Sequence, residues 1–355
     1  MTRGTLMASA LAGAYLFASG AIAQTGNSDP AAQPKKHSAV AVETVIVTGE
    51  HEKLDKIPLK AAFTQSAISK EIIRNASPGV TTTVQTLLNQ EPSITAVTSG
   101  PSGMRTDIKF RAFNDGQFGE TFDGVPLNDA FNAGATNQAS NRNNVLLTLN
   151  SIDGVDIYRG INNPSVNTYN SLGGTINFQP RQPGENFGAN VGATYGSFNT
   201  FGWHGTVNTG DIGGLRQIVS FDHTDSKGWL QNTPDHNNNL YYGAQDNFDG
   251  GNSQLYAYFI YNTNQGYSPH TAPVALIAQY GRSYQWPTSW AYSFNDDTNF
   301  LTVVGYKTKV NDVVSYDGKF YGGMNDYKRT SYSNPAERQS GTQPYYLPNQ
   351  STGYA

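Results

Sequence analysis

The chain has 355 residues and no cysteine, with 23 lysines and arginines against 27 aspartates and glutamates, for a formal net charge of −4. That balance argues against a nucleic-acid partner, and the missing cysteines exclude disulfides, thiolate metal sites and thiol nucleophiles. With 37 glycines, 21 tyrosines, 17 phenylalanines and a mean hydropathy of −0.49, the composition is unlike a soluble α/β enzyme and suits strands with one face to lipid and one to water.

Residues 1–23 read as a secretory signal peptide. Arg3 gives a short basic start, Leu6 to Ala23 is rich in Ala, Leu, Gly and Phe, and Ala21-Ile22-Ala23 before Gln24 is a small-x-small cleavage site. Residues 24–49 follow as a tail. Gln24 to Val42 has little to bury and is expected to be disordered. It delivers Glu43-Thr44-Val45-Ile46-Val47-Thr48-Gly49, a β-branched, extended heptad suited to pairing with a sheet edge on another protein. The other reading makes Val45 to Val47 the first strand of the next domain.

Residues 50–183 carry mixed signals that predict a compact α+β unit of ordinary domain size. Ser69 can cap a helical turn through Arg74, and Thr82 with Gln85 is a capping-box pattern. Val84, Leu87 and Leu88, at i, i+3 and i+4, form one apolar face with no chemistry assigned to it. Four strand-like phrases follow: Ile108 to Phe113 (IKFRAF), Thr121 to Leu127 (TFDGVPL), Val155 to Gly160 (VDIYRG) and Leu172 to Phe178 (LGGTINF). Asp123-Gly124 supplies the positive φ angles of a tight hairpin. Gly173-Gly174 permits a close backbone approach or a bulge. Arg111 and Asp156 are read as charged residues on strands with apolar neighbours, which usually have partners.

In order and spacing these phrases resemble the plug domain of TonB-dependent outer-membrane receptors, whose versions read Arg-Gly-Phe, Asp-Gly-Val-Pro, Glu-x-x-x-Gly and Gly-Gly-x-Ile-Asn. Ala112 departs from the usual glycine and Asp156 from the usual glutamate. The resemblance makes Arg111, Phe113, Asp123, Gly124, Asp156, Arg159, Gly160, Gly173 and Gly174 the plug's structural motif. It also implies that its charged members help lock the plug against a barrel wall. Glu43 to Gly49 resembles a Ton box, the segment pulled by the inner-membrane energising protein TonB. The tail before it is far shorter than the ~50 residues of a small domain, so a folded signalling domain is not expected there.

Beyond Pro183 alternation becomes the rule, and residues 184–355 are expected to begin an antiparallel transmembrane β-barrel. Ala189, Val191, Ala193 and Tyr195 alternate with smaller or polar residues, as do Phe201, Trp203 and Val207. Further strands are read at Leu215 to His223, Leu255 to Tyr261, Phe300 to Lys309 and Asp312 to Gly322. A soluble β-sandwich would alternate similarly; the signal peptide and plug phrases decide for the barrel. Complete plugged transporters have about 22 strands of ~9–11 residues, and only about six or seven fit here. The chain is therefore expected to be the N-terminal part of a longer receptor. Asp225 to Asn252 and Asn264 to Asp297 are read as long extracellular loops, with Trp286 and Trp290 assigned to the lipid-interface belt rather than to a ligand. Asp246 to Gly251 misses the calcium-loop spacing and reads as a polar turn. His37, His51, His204, His223, His236 and His270 show no close metal-ligand pair, so no metal and no cofactor are expected.

The sequence holds no G-x-S-x-G, P-loop, H-E-x-x-H or strand-linked G-x-G-x-x-G, so no enzyme is expected. The resemblance implies Sec-exported, TonB-driven import at the outer membrane, with outer-membrane lipid, TonB and a small molecule as partners. An iron–siderophore complex is the family's commonest cargo; a carbohydrate or cobalamin is the alternative. The competing class is a passive porin-like or adhesive barrel, which has no use for Glu43 to Gly49.

Overall fold

The computed structural model describes residues 65–76, 84–97, 107–114, 116–127, 146–160, 166, 168 and 171–333. The signal-peptide reading, the tail and Glu43 to Gly49 lie outside the described residues, as does Thr82 of the capping pattern.

The first part of the chain builds β1 (Gln65–Ile68), α1 (Lys70–Ala76), α2 (Val84–Leu88), β2 (Ile94–Val97), β3 (Asp107–Phe110), β4 (Gly119–Phe122), β5 (Val125–Pro126), β6 (Ile152–Tyr158) and β7 (Thr175–Pro180). Five strands form one sheet in the order β1-β6-β7-β4-β5, with β4 parallel to β7 and the other neighbours antiparallel. β2 and β3 pair separately. Ser69 Oγ accepts a bond from the Ile72 N–H at 3.4 Å, capping α1, and Arg74 sits in its last turn, where a cation suits the helix dipole. Val84, Leu87 and Leu88 are all buried, as their spacing requires. β6 is buried along its whole length, so it is covered on both faces of the sheet, and its two aspartates, Asp153 and Asp156, are both held by partners within the plug.

The second part is one antiparallel sheet of seven strands in chain order: β8 (Phe187–Gly196), β9 (Thr200–Ile212), β10 (Leu215–Ser226), β11 (Asp235–Phe248), β12 (Ser253–Tyr267), β13 (Ala291–Lys309) and β14 (Ser315–Ser333), with α3 (Val274–Tyr280) between β12 and β13. Tight connections at Gly213-Gly214, residues 249–252 and residues 310–314 alternate with Ser197–Asn199, residues 227–234 and residues 268–290 at the opposite end. Short turns at one end and longer loops at the other are the pattern of an outer-membrane barrel. β13 at 19 residues would run about 60 Å, longer than the ~9–11 residues of a membrane-spanning strand require. Over most of β10 to β13 buried residues alternate with part-exposed or exposed ones. Ile218, Ser220 and Asp222 face the plug, while Val219 and Phe221 face outward.

Two loop readings are corrected. Asp225 to Asn252 is not a loop but contains β11, a 14-residue strand laddered to β10 on one side and β12 on the other. Its first five residues, Asp-His-Asn-Asn-Asn, are polar on both faces, which erases the period-two signal; backbone pairing with its neighbours makes it a strand all the same. Asn264 to Asp297 shrinks to residues 268–290, because β12 runs on to Tyr267 and β13 starts at Ala291. Asp246 to Gly251 does end in a turn, with positive φ at Asp249, Gly250 and Gly251.

Candidate functional site: plug latch and lumen wall

Asp123 (φ 52°) and Gly124 (φ 75°) are consecutive left-handed residues that turn β4 back into β5. Asn177 on β7 fixes this turn, because its Oδ1 accepts from Thr121 Oγ1 at 2.7 Å and from the Gly124 N–H at 2.9 Å. Gly173 packs on the Phe113 ring, and Gly174 takes φ 124° where a Cβ would overlap the Tyr158 carbonyl oxygen. Gly160 takes φ 120° just past the end of β6.

The charged members of the motif behave differently from the expectation. Arg111 is not on a strand: β3 ends at Phe110, and Arg111 and Ala112 form an exposed turn at φ 52° and 68°. Ala112 thus holds a left-handed position that glycine occupies at less cost, which accounts for glycine in the family phrase. Asp156 accepts from Gln65 Nε2 at 3.0 Å, Gln179 Nε2 at 2.8 Å and Asn177 Nδ2 at 3.4 Å. Arg159 donates to Ser66 Oγ at 2.8 Å and Glu91 Oε2 at 3.0 Å. All of these partners belong to the plug, so the bonds tie β1 and the α2–β2 turn to β6 and β7 and do not reach the barrel wall.

Other residues make the latch. Thr148 Oγ1 and Asn150 Nδ2 donate to Asp222 on β10 at 2.9 and 2.5 Å. The Leu146 N–H donates to Asn262 Oδ1 at 3.2 Å, and Asn239 Nδ2 donates to the Leu146 carbonyl at 2.8 Å. Where the plug runs into the barrel, Tyr241 OH donates to the Arg181 carbonyl at 2.6 Å and Gln182 Nε2 to Tyr258 OH at 2.9 Å. The partly buried Arg181 guanidinium is pushed down to about 10, chiefly by desolvation and then by the charge of Arg74, and stays cationic at neutral pH. Of the sequence-read motif, Asp123 does reach the wall, with Lys319 Nζ on β14 lying 3.0 Å from its Oδ2. The signal that could have found Asp222, Asn239, Tyr241 and Asn262 is the alternation itself, which turns all four inward.

Above this latch the wall carries a grid of carboxamides and carboxylates. Across β11, β12 and β13 the register aligns Asn239 with Asn262 and Asn299, and Asn237 with Asn264 and Asp297. All are buried on the plug side. The side-chain oxygens of Asn237, Asn264 and Asn299 have no hydrogen-bond partner among the described residues, and such a buried carbonyl costs about 1–3 kcal/mol until something donates to it. The wall therefore keeps unused acceptors facing the lumen.

Trp286 and Trp290 are neither on an outward belt nor open to a ligand, which corrects their assignment. Both are buried with Leu276, Tyr284 and Ala291 in a small core of the 268–290 connection, their rings stacked 5.8 Å apart and Trp286 Nε1 donating to the Thr271 carbonyl at 2.9 Å. Burial pushes the Tyr284 hydroxyl up to about 12. The histidines also need correcting: His223 and His236 come together across β10 and β11, ring centroids 5.0 Å apart, with Asp225 between them.

Residues 58–175 match the family described as TonB-dependent Receptor Plug Domain. No curated protein matches the chain. Among solved structures, the chain is similar to the unliganded ferric citrate transporter FecA (TM-score 0.61, 17% identity, 78% of this chain and 41% of that one). It is also similar to the ferric yersiniabactin uptake receptor FyuA from Yersinia pestis (0.60, 15%, 77% and 42%). A third is the ferric-catecholate import receptor Fiu from E. coli K12 (0.59, 14%, 78% and 41%). At these identities the likeness is one of fold, and the chain spans about two fifths of the length of each receptor.

Proposed function

Starting from a chain that carries the plug domain of TonB-dependent receptors and has the fold of the first part of their barrel, we propose that it serves energised import of a ferric siderophore across the outer membrane. The observation that carries this reading is the latch. Among the described residues the plug meets the wall through an apolar cluster, in which Phe122 packs edge-on against Tyr258, and through single polar bonds, each worth about 0.5–1.5 kcal/mol net, or about 1.5–3 kcal/mol where one partner is charged. Such an interface yields step by step to a directed pull, and a passive channel has no need of it. The chain also offers a place to pull. β1 is a four-residue edge strand, the first in its sheet, and lies closest in sequence to Glu43 to Gly49. Tension on that segment would load the bonds from Gln65 to Asp156 and from Ser66 to Arg159 first.

Export by the signal peptide and strand addition of Glu43 to Gly49 to TonB belong to the same proposal. The ferric cargo is taken over from the named functions of the similar receptors. The carboxamide wall supports a polar, oxygen-rich ligand and suits a carbohydrate equally well, which is the second reading.

Cells whose receptor gene carries Ile46→Pro, grown on iron-limited medium and on single carbon sources, test the proposal. Proline removes a backbone donor from the pairing segment and leaves the plug untouched. Growth lost only under iron limitation supports siderophore import, and growth lost only on a glycan supports the second reading. Unchanged growth everywhere, with the protein present in the outer membrane, would favour a passive barrel.

A further inference from the structure

On the outer face of the wall, away from plug and lumen, we propose a binding site for a divalent transition cation of the zinc or copper class, formed by His223, Asp225 and His236. The register pairs His223 with Asn238 and Asp225 with His236, at the end of β10 and start of β11 that lead into the 227–234 connection. The strand alternation that turns Asp222 and Thr224 inward turns these residues outward, and the Trp203 ring lies against both Phe221 and His223 on that face. The site thus sits among outward-facing aromatics near the long-loop end.

With both imidazoles neutral, the hydrogen bonding leaves the cluster one positive charge short. Asp225 Oδ2 lies 2.9 Å from His223 Nε2, and Oδ1 lies 2.5 Å from His236 Nδ1. The Asn238 amide spans the two remaining ring nitrogens, with Oδ1 2.8 Å from His223 Nδ1 and Nδ2 3.0 Å from His236 Nε2. With that orientation His223 Nδ1 must carry the hydrogen, so a neutral His223 would turn a bare Nε2 lone pair onto the carboxylate. Turning the amide over moves the conflict to His236, whose Nε2 then holds the hydrogen and whose Nδ1 faces the carboxylate bare. Either way, two neutral imidazoles and a carboxylate leave one lone pair opposed to an oxygen. One extra positive charge relieves it, and either a proton or a metal ion can supply that charge.

The donor set suits a metal. Two imidazole nitrogens and a carboxylate oxygen are borderline ligands for zinc or copper. The three donor atoms all lie within 4.8 Å of one another, and drawing them to about 2.0 Å from a zinc ion needs movements of roughly 1 Å. Asn238 is already placed as the outer partner that orients both rings, itself held by Thr263 Oγ1 at 3.3 Å. Three protein donors leave a fourth position for water or an anionic oxygen. The cluster borders a pocket of about 400 Å³ lined also by Lys227, Gln265 and Tyr267. A bound ion would clamp β10 to β11 where they leave the sheet.

The test is titration of the purified full-length receptor, in detergent and without a histidine tag, with Zn²⁺ followed by calorimetry and with Cu²⁺ followed by electron paramagnetic resonance. One equivalent should bind, with hyperfine coupling from two nitrogens. His236→Gln and His223→Gln should each reduce the pattern to one nitrogen and weaken binding at least about tenfold, with heat-modifiable gel migration reporting the fold of each. The two variants are independent, so one that fails to fold leaves the other to decide. No stoichiometric binding by the wild type, or a two-nitrogen signal that survives in a folded variant, would overturn the proposal.

Discussion

Three glycines of the plug separate two costs that are usually measured together, left-handed backbone and lost space. Gly160 takes φ 120° with nothing within 4 Å of a Cβ, so Gly160→Ala meets backbone strain alone, about 1–3 kcal/mol. Gly173 lies outside the positive-φ region, and its Cβ would meet the Phe113 side chain, 3.0 Å from Cδ2 of the ring and 3.1 Å from Cβ. That ring is half-buried and can tilt away, which keeps Gly173→Ala below about 1.5 kcal/mol. Gly174 combines both problems: φ 124°, overlap with the Tyr158 carbonyl oxygen, and 2.9 Å to Phe110 Cε1 of a fully buried ring. Adding about 1–3 kcal/mol of overpacking to the strain puts Gly174→Ala at about 2–6 kcal/mol, a large share of the ~5–15 kcal/mol of a domain. Hydrogen exchange at the β6 and β7 amides reads these values directly. At tenfold per 1.4 kcal/mol, Gly174→Ala should speed exchange at least about thirtyfold, more than Gly160→Ala, with Gly173→Ala least affected. Gly160→Ala equal to or worse than Gly174→Ala would refute the reasoning, as would equal effects at Gly173 and Gly174.

Two further outcomes follow from the wall and the loop. Asp222→Ala removes the acceptor of Thr148 and Asn150; at about 1.5–3 kcal/mol per charge-assisted bond, less the relief of a desolvated carboxylate, residues 146–151 should exchange roughly tenfold faster. Unchanged exchange there would remove Asp222 from the latch. Trp286→Ala empties the small core of the 268–290 connection, a loss of about 3–5 kcal/mol, so limited proteolysis should cut there first while the β12–β13 ladder stays protected. Equal protease resistance in variant and wild type would mean that the ring does not organise the loop.

The parts of the fold legible in the sequence were those where a single local rule acts. Asp123-Gly124 sits at its turn because two adjacent left-handed residues are needed there, and Ser69 caps α1 because the first helical N–H groups need an acceptor. The outward–inward rhythm of β10 and β12 showed because apolar and polar residues differ from one position to the next. β11 escaped because its upper half is polar on both faces, and nothing local distinguishes a doubly polar strand from a loop. The latch escaped for a related reason: Thr148, Asn150 and Leu146 are ordinary turn residues until the fold brings β10, β11 and β12 alongside them. The approach of His223 and His236, 13 positions apart, depends on the same missed strand, since only the β10–β11 register makes them neighbours.

The arrangement of bonds implies an order of release under load. The Asp156 and Arg159 bonds lie inside the plug and hold β1, the described strand nearest in sequence to the segment on which we propose a pull, whereas the Asp222, Asn239 and Asn262 bonds lie between plug and wall, on residues 146–150. Force entering at β1 must cross β6 before it reaches that second set. β6 is buried along its whole length, and Asp153 anchors α1 to it through Lys70 at 3.0 Å and Arg74 at 2.5 Å. A modest pull therefore peels the edge strand and exposes Asp156 and Arg159 while the wall bonds hold. Expelling the whole plug demands breaking the desolvated Asp222 contact, the Leu146 bonds and the Asp123–Lys319 ion pair in addition. Under the proposed pull the plug would open by local remodelling around β1 at low force, and would leave the barrel only when the force is high enough to break the Asp222 contact as well.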